Sequence, residues 1–368
     1  MNNGFGRSVW PGLLAAGCIA CVTAVSAGAP RGGLEFYGSM YGDLSLYHFD
    51  VNDNDSLAFG GRNTLTLNMK NINRKHGKIE SGLDIIMLYG IQADAMHELV
   101  PDALYTMLPA AGAPILLDLR KLYFSVYLPF VDLSVGRQII NFGKGYVFSP
   151  VDVFSSVDVL DITLRRRGSD VACARFPLGT LAGVDVVGEF PVGANDHASA
   201  VKAFANVLGF DWSILGMYRH DSREITGGAA FKGDLEAGIY GEAAQHFLDG
   251  SGDRYFEGML GADYSFLKND LIVQAEYLHS GRPDSVLSIW GKHNAFTSAL
   301  YRINDIMNVS ASLIHNFTDD MSIGTAQYYY NVLQNVDAIV YVRGYRGNLN
   351  GFAAFPDLEY SLRLEVKF

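Results

Sequence analysis

The chain has 368 residues, 18% of them charged and 12% aromatic, with 40 Gly, a formal charge of −11 and a mean hydropathy of +0.11. That hydropathy excludes a bundle of membrane helices, each of which needs about 20 mostly apolar residues. Charge this sparse beside so many Tyr, Phe and Gly argues against disorder, and the acidic balance argues against nucleic acid as a partner.

Residues 1–29 hold one charge, Arg7, ahead of an apolar run from Leu13 to Val25. Val25-Ser26-Ala27 puts small residues where a signal peptidase reads, so 1–29 is expected to be a secretory signal peptide cut after Ala27. The cut removes Cys18 and Cys21 and leaves Cys173 alone, with no partner for an internal disulfide. No linker or charge block interrupts residues 30–368, so they are expected to form one domain.

From residue 34 onward hydrophobicity alternates with a period of two, as in strands with one apolar face. Leu57, Phe59, Leu65, Leu67 and Met69 share a parity opposite Arg62, Thr64, Thr66 and Lys70. Ile79, Leu83, Ile85 and Met87 oppose Glu80 and Asp84. At the end, Leu358, Tyr360, Leu362, Leu364, Val366 and Phe368 alternate with Glu359, Ser361, Arg363, Glu365 and Lys367. The spacing predicts eighteen strands, near 34–50, 56–71, 78–92, 115–128, 131–141, 162–176, 180–190, 198–207, 212–220, 224–232, 235–247, 255–266, 271–280, 293–303, 306–316, 321–333, 336–346 and 357–368. Helical readings of 93–108 and 150–160 are short.

Loop lengths sort by parity. Connections 93–114, 142–161, 191–197, 248–254, 281–292 and 347–356 fall on one side; tight turns such as 129–130, 233–234, 304–305 and 334–335 fall on the other. A transmembrane, antiparallel, up-and-down β-barrel has this asymmetry, and a soluble sandwich has no reason for it. Ten-residue strands of about 33 Å, tilted near 45°, project to roughly 23 Å, close to the apolar band of such barrels. The expected fold is therefore an all-β barrel of about 18 strands, with 16 as the alternative count.

Alternation then assigns the inward charges. Arg62, Asp84, Arg137, Lys144, Arg165, Arg167, Arg175, Asp185, Glu189, Lys202, Glu242, Glu276 and Arg343 are the candidate pore-lining residues. The bases gather in the first half and the acids later, so opposed walls would set up a transverse field; the alternative is that the charges pair. Arg137 shares the parity of Leu133 and Val135, and a bulge at Gly136 would be needed to turn it inward. Arg166 is expected at the outer rim, near lipopolysaccharide phosphates or in a solvated loop edge. The loops 93–114 and 142–161, long and apolar, are the candidate pore-narrowing elements.

Pairs such as His279-Ser280, His293-Asn294 and His315-Asn316 place neighbours on opposite strand faces, which does not build a nucleophile–base contact. No GxSxG, HExxH, CxxC or phosphate-binding glycine loop occurs, so neither catalysis, cofactor nor metal is expected.

The terminal strand Tyr360-Ser361-Leu362-Arg363-Leu364-Glu365-Val366-Lys367-Phe368 resembles the C-terminal signature of bacterial outer-membrane barrels. The resemblance implies that Tyr360 and Phe368 belong to a signal read by the barrel-assembly machinery. A second stretch, Gly136-Arg137-Gln138 running through Gly143-Lys144-Gly145 to Pro150-Val151-Asp152, resembles a strand and loop of porin-like and alginate-export-type channels. It implies a channel architecture and leaves the solute unnamed. The function expected is passive diffusion of small polar solutes across the bacterial outer membrane, among its lipid and lipopolysaccharide. A barrel hydrolase and an adhesive or structural barrel are the alternatives. Trimerisation is left open, because lipid-facing and subunit-facing apolar residues look alike.

Overall fold

The computed structural model describes residues 33–51, 54–71, 75–93, 108–110, 113–152, 154–155, 157–159, 161–190, 197–248, 252–282, 291–347 and 356–368. The signal-peptide segment and residues 94–107 and 111–112 of loop 93–114 lie outside these residues. The first strands are β1 (Leu34–Val51), β2 (Asn54–Asn71), β3 (Gly77–Gly90), a three-residue β4 (Leu108–Ala110), β5 (Ala113–Tyr127) and β6 (Asp132–Gln138). There follow β7 (Ser169–Pro177), β8 (Ala182–Glu189), β9 (Ala198–Val207), β10 (Phe210–Arg219), β11 (Glu224–Asp234), β12 (Gly238–Leu248) and β13 (Arg254–Phe266). The last are β14 (Leu271–Ser280), β15 (His293–Asn304), β16 (Met307–Asn316), β17 (Met321–Leu333), β18 (Val336–Arg346) and β19 (Leu358–Lys367).

Neighbours in the chain pair antiparallel, and β3 pairs directly with β5 while β4 pairs only with β5. The other eighteen strands form a closed wall, because β1 pairs with β19 from Ser39↔Lys367 to His48↔Leu358. Closure leaves no row of unpaired N–H and C=O groups along an edge.

The two faces are inverted relative to a water-soluble barrel. Large apolar side chains such as Ile214 (64% exposed) and Leu260 (65%) are bare on the outside, while Arg363 (1%) and Asp43 (2%) are enclosed. Tight turns link strands at one end; in the turn between β9 and β10, Leu208 and Gly209 both take positive φ, at 56° and 82°, as a two-residue hairpin turn of the right twist requires.

The chain departs from simple alternation in two places. The strand expected over 162–176 starts only at Ser169, and the described residues between Gln138 and Ser169 leave the wall. Arg165 and Arg166 pair there with Asp84 and Asp152, so charge pairing inside the barrel overrides the strand pattern. Arg137 is not turned inward either. The β6–β7 register runs without a break from Asp132↔Arg175 to Gln138↔Ser169, so Arg137 keeps the outward parity of Leu133 and Val135, both exposed. Asp170, opposite it on β7, neutralises it through two hydrogen bonds of 3.0 and 2.7 Å. The inward reading of Arg137 is thereby corrected: pairing removes the penalty that a bulge would have avoided.

Candidate functional site

The described residues of 139–168 fold into the lumen. Phe142, Val151 and Phe154 pack on small and apolar inward residues of β7–β12, among them Val171, Val187, Ala200 and Ala244. Val147, Phe148 and Val159 pack on Tyr240, Met259, Leu278, Phe296 and Ile314 of β12–β16.

Two wall carboxylates hold the backbone of this segment. Glu242 accepts from the amides of Lys144, Gly145 and Val151 and from the Ser149 hydroxyl. Glu276 accepts from the amides of Tyr146, Val147 and Phe148, at 2.5–2.9 Å, and from the Tyr240 hydroxyl. Gly143 and Gly145 permit this approach: a Cβ on Gly143 would stand 2.7 Å from Glu242 Oε1, and one on Gly145 would collide with the Phe148 carbonyl oxygen. Lys202 donates to the Phe142 carbonyl at 3.2 Å.

A second clasp is internal. Arg166 pairs with Asp152 and donates through Nη2 to the Gly145 carbonyl at 3.1 Å, which places it in a buried contact instead of at an outer rim. Burial pushes the Asp152 carboxyl up to about 6, with Glu242 adding to the rise and Arg166 only partly opposing it. Asp161 behaves oppositely: burial would raise it, yet Arg62, Thr163 and Arg165 together hold it below the usual carboxylate range.

Beyond the loop, the inner faces of β1–β3, β5, β18 and β19 carry an interleaved ionic network. Asp43 accepts from Arg62 at 3.0 Å and from Arg363 at 2.6 and 2.7 Å. Asp84 lies 3.0 Å from Arg120 and 3.3 Å from Arg165. Three guanidiniums gather over the Tyr41 ring, Arg363 at 4.1 Å, Arg62 at 5.6 Å and Arg165 at 5.7 Å. Arg343 lies 3.6 Å from Glu359. Bases and acids thus share one side of the lumen and pair, in place of two opposed walls.

Alternation turns Glu189, Arg175 and Asp185 inward; Arg175 grips Asp185 through hydrogen bonds of 2.7 and 2.8 Å. Lys202, Glu242 and Glu276 are also inward but sit beneath the loop. Lys144 reaches toward Asp211, 3.9 Å away. Arg167, on the loop, is largely exposed and 3.6 Å from Asp158.

Arg120 and Lys121 escaped the parity argument. The β3–β5 register shifts at Gly82/Leu83, a bulge that turns both toward Asp84 and Glu80. The signal was present in the sequence: exposed apolar residues switch from odd (Leu119) to even (Leu122, Phe124) across these two cations. Asp161 was missed because loop residues have no parity to read.

No known family model matches the chain, and no curated protein sequence is similar to it. Solved structures do share its fold. The outer membrane protein OpdK from Pseudomonas aeruginosa aligns with a TM-score of 0.58 at 8% identity, over 91% of this chain and 98% of that one. OccAB1 from Acinetobacter baumannii gives 0.56 at 9% identity, over 93% and 98%. OmpF from Salmonella typhi, in complex with daunomycin, gives 0.50 at 11% identity, over 91% and 97%.

Proposed function

We propose that the protein is an outer-membrane channel through which small hydrophilic solutes diffuse passively. The observation that carries this reading is the inversion of the closed wall, with bare apolar side chains outside and paired charges inside. Such a surface is stable against hydrocarbon and costly against water. An eighteen-stranded barrel is wide enough to leave an aqueous interior, and a loop folded across it narrows the passage. Residues 139–168 serve as that constriction, with Arg62, Asp84, Arg165 and Arg343 among the charges that a solute meets. The fold shared with OpdK, OccAB1 and OmpF supports the same reading.

Tyr360 stands exposed on the outward parity of the last strand and Phe368, just past its end, keeps that parity, which suits a role in recognition by the assembly machinery after export. The histidine pairs offer no support for hydrolysis. His279, His293 and His315 keep the outward parity while Ser280, Asn294 and Asn316 are buried. The inward His246 faces carboxylates on both nitrogens, Glu224 at 2.6 Å and Glu257 at 3.3 Å.

Reconstitution of the folded protein in a planar bilayer tests the proposal. Discrete, ohmic conductance steps are the expected result. A bilayer that stays silent while lipid or peptide is cleaved would instead establish the hydrolase.

A further inference from the structure

The inner faces of β15, β16 and β17 differ in kind from the ionic network. Of their inward positions from Asn294 to Asn331 only Arg302 is charged, and it lies at the tight-turn end. Across the ladders Ser298 stands opposite Ser312, which stands opposite Thr325; one step along, Ser310 faces Gln327. The side chains of Ser298, Ser310, Ser312 and Gln327 make no hydrogen bond to another protein group among the described residues. All four are half-buried and turn donors and acceptors into the lumen.

A cavity of about 190 Å³ separates this patch from the loop. Tyr146, 49% exposed, stands over it, and Val159, Leu164, Phe296, Ile314 and Ile323 supply apolar surface. At about 30 Å³ per water, the space corresponds to roughly six waters. The charges at its margin, Asp161 and Arg343, are already engaged, with Thr163 and with Glu359.

Hydroxyls and an amide with no net charge, set beside an aromatic ring and aliphatic side chains, match a molecule that is itself amphipathic by face. A sugar ring is such a molecule: its hydroxyls exchange water for Ser and Gln partners while its C–H face covers the ring of Tyr146. We infer that the space between Tyr146 and the inner faces of β15–β17 is a binding subsite for an uncharged polyhydroxylated solute of hexose size. This inference rests on the channel reading and adds to it a second lane, chemically separate from the ionic one.

The test is a titration of D-glucose into the wild-type channel in a planar bilayer. Current is normalised to the conductivity of each sugar solution, and a polyethylene glycol too large to enter serves as the viscosity control. Normalised current is expected to fall to a plateau with glucose and not with the polymer. Half-saturation should move up about fivefold in Ser312→Ala and in Gln327→Leu, the effect of one hydrogen bond of about 1 kcal/mol, and return in Ser312→Thr. A wild-type current that does not saturate overturns the subsite whatever the variants do, as does an unchanged half-saturation in both variants. A wild-type protein that forms no channel overturns the underlying reading instead.

Discussion

Glu276 accepts four hydrogen bonds, three of them from loop amides and one from the Tyr240 hydroxyl. Glu276→Gln replaces one acceptor oxygen with an NH2 that faces N–H groups, and each buried donor left unsatisfied costs about 1–3 kcal/mol. The loop should loosen and the single-channel conductance should rise, with larger open-channel noise; wild-type conductance would mean that apolar packing alone seats the loop. Asp152 makes the same segment sensitive to pH. Its carboxyl is raised to about 6, above its unfolded value, so the folded protein binds this proton more tightly. The stabilisation from that proton is complete below the unfolded value and is lost as pH rises through about 6. Asp161, held below the ordinary range, stays ionised throughout that window. Acidification from pH 7 to 5 therefore removes one negative charge beside Arg166, and reversal potentials in a salt gradient should shift toward anions. Asp152→Asn should already show the shift at pH 7 and lose the Asp152 contribution between pH 7 and 5.

At the level of elements, legibility followed burial on one face. Strands such as β19, apolar on one parity and charged on the other, could be read residue by residue, since one slip in register would expose every buried charge. Two kinds of residue could not. Bulged cations such as Arg120 and Lys121 break the period that the reading depends on. Loop residues such as Arg166 and Asp161 are placed by contacts that no strand period encodes, Arg166 by Asp152 across the same loop and Asp161 in part by Arg62 on β2. Arg137 shows the remaining failure: its parity was right, and the partner that makes an outward cation tolerable, Asp170, lay on the next strand. Asp170→Ala should accordingly destabilise the barrel by about 1–2 kcal/mol, less than the mid-depth cost of a bare cation because the pair lies near a strand end. The double variant with Arg137→Leu should recover that loss. Urea unfolding of vesicle-embedded protein measures both, and equal stability of Asp170→Ala and wild type would mean that Arg137 reaches water unaided.

For the whole molecule, the sign of hydrophobicity across the wall decides what solvent each face was built for. Leu260 lies midway along β13, outward and 65% exposed, while Gln327 lies inward on β17 beside the lumen cavity. In a protein that folds in water the two positions would respond to a new charge in the opposite order, since an exposed site accepts Arg and an interior one does not. Against hydrocarbon, Leu260→Arg should cost about 2–4 kcal/mol, the range for Arg at the midplane of an outer-membrane barrel, whereas a lumen substitution tunes ion selectivity. Gln327→Arg should leave stability nearly unchanged and move the reversal potential toward anions. Urea midpoints and reversal potentials measured on the same two vesicle preparations give the order directly. If Leu260→Arg proves as stable as wild type and Gln327→Arg unfolds, the closed wall has a dry interior and a wet exterior, and a channel through it is impossible.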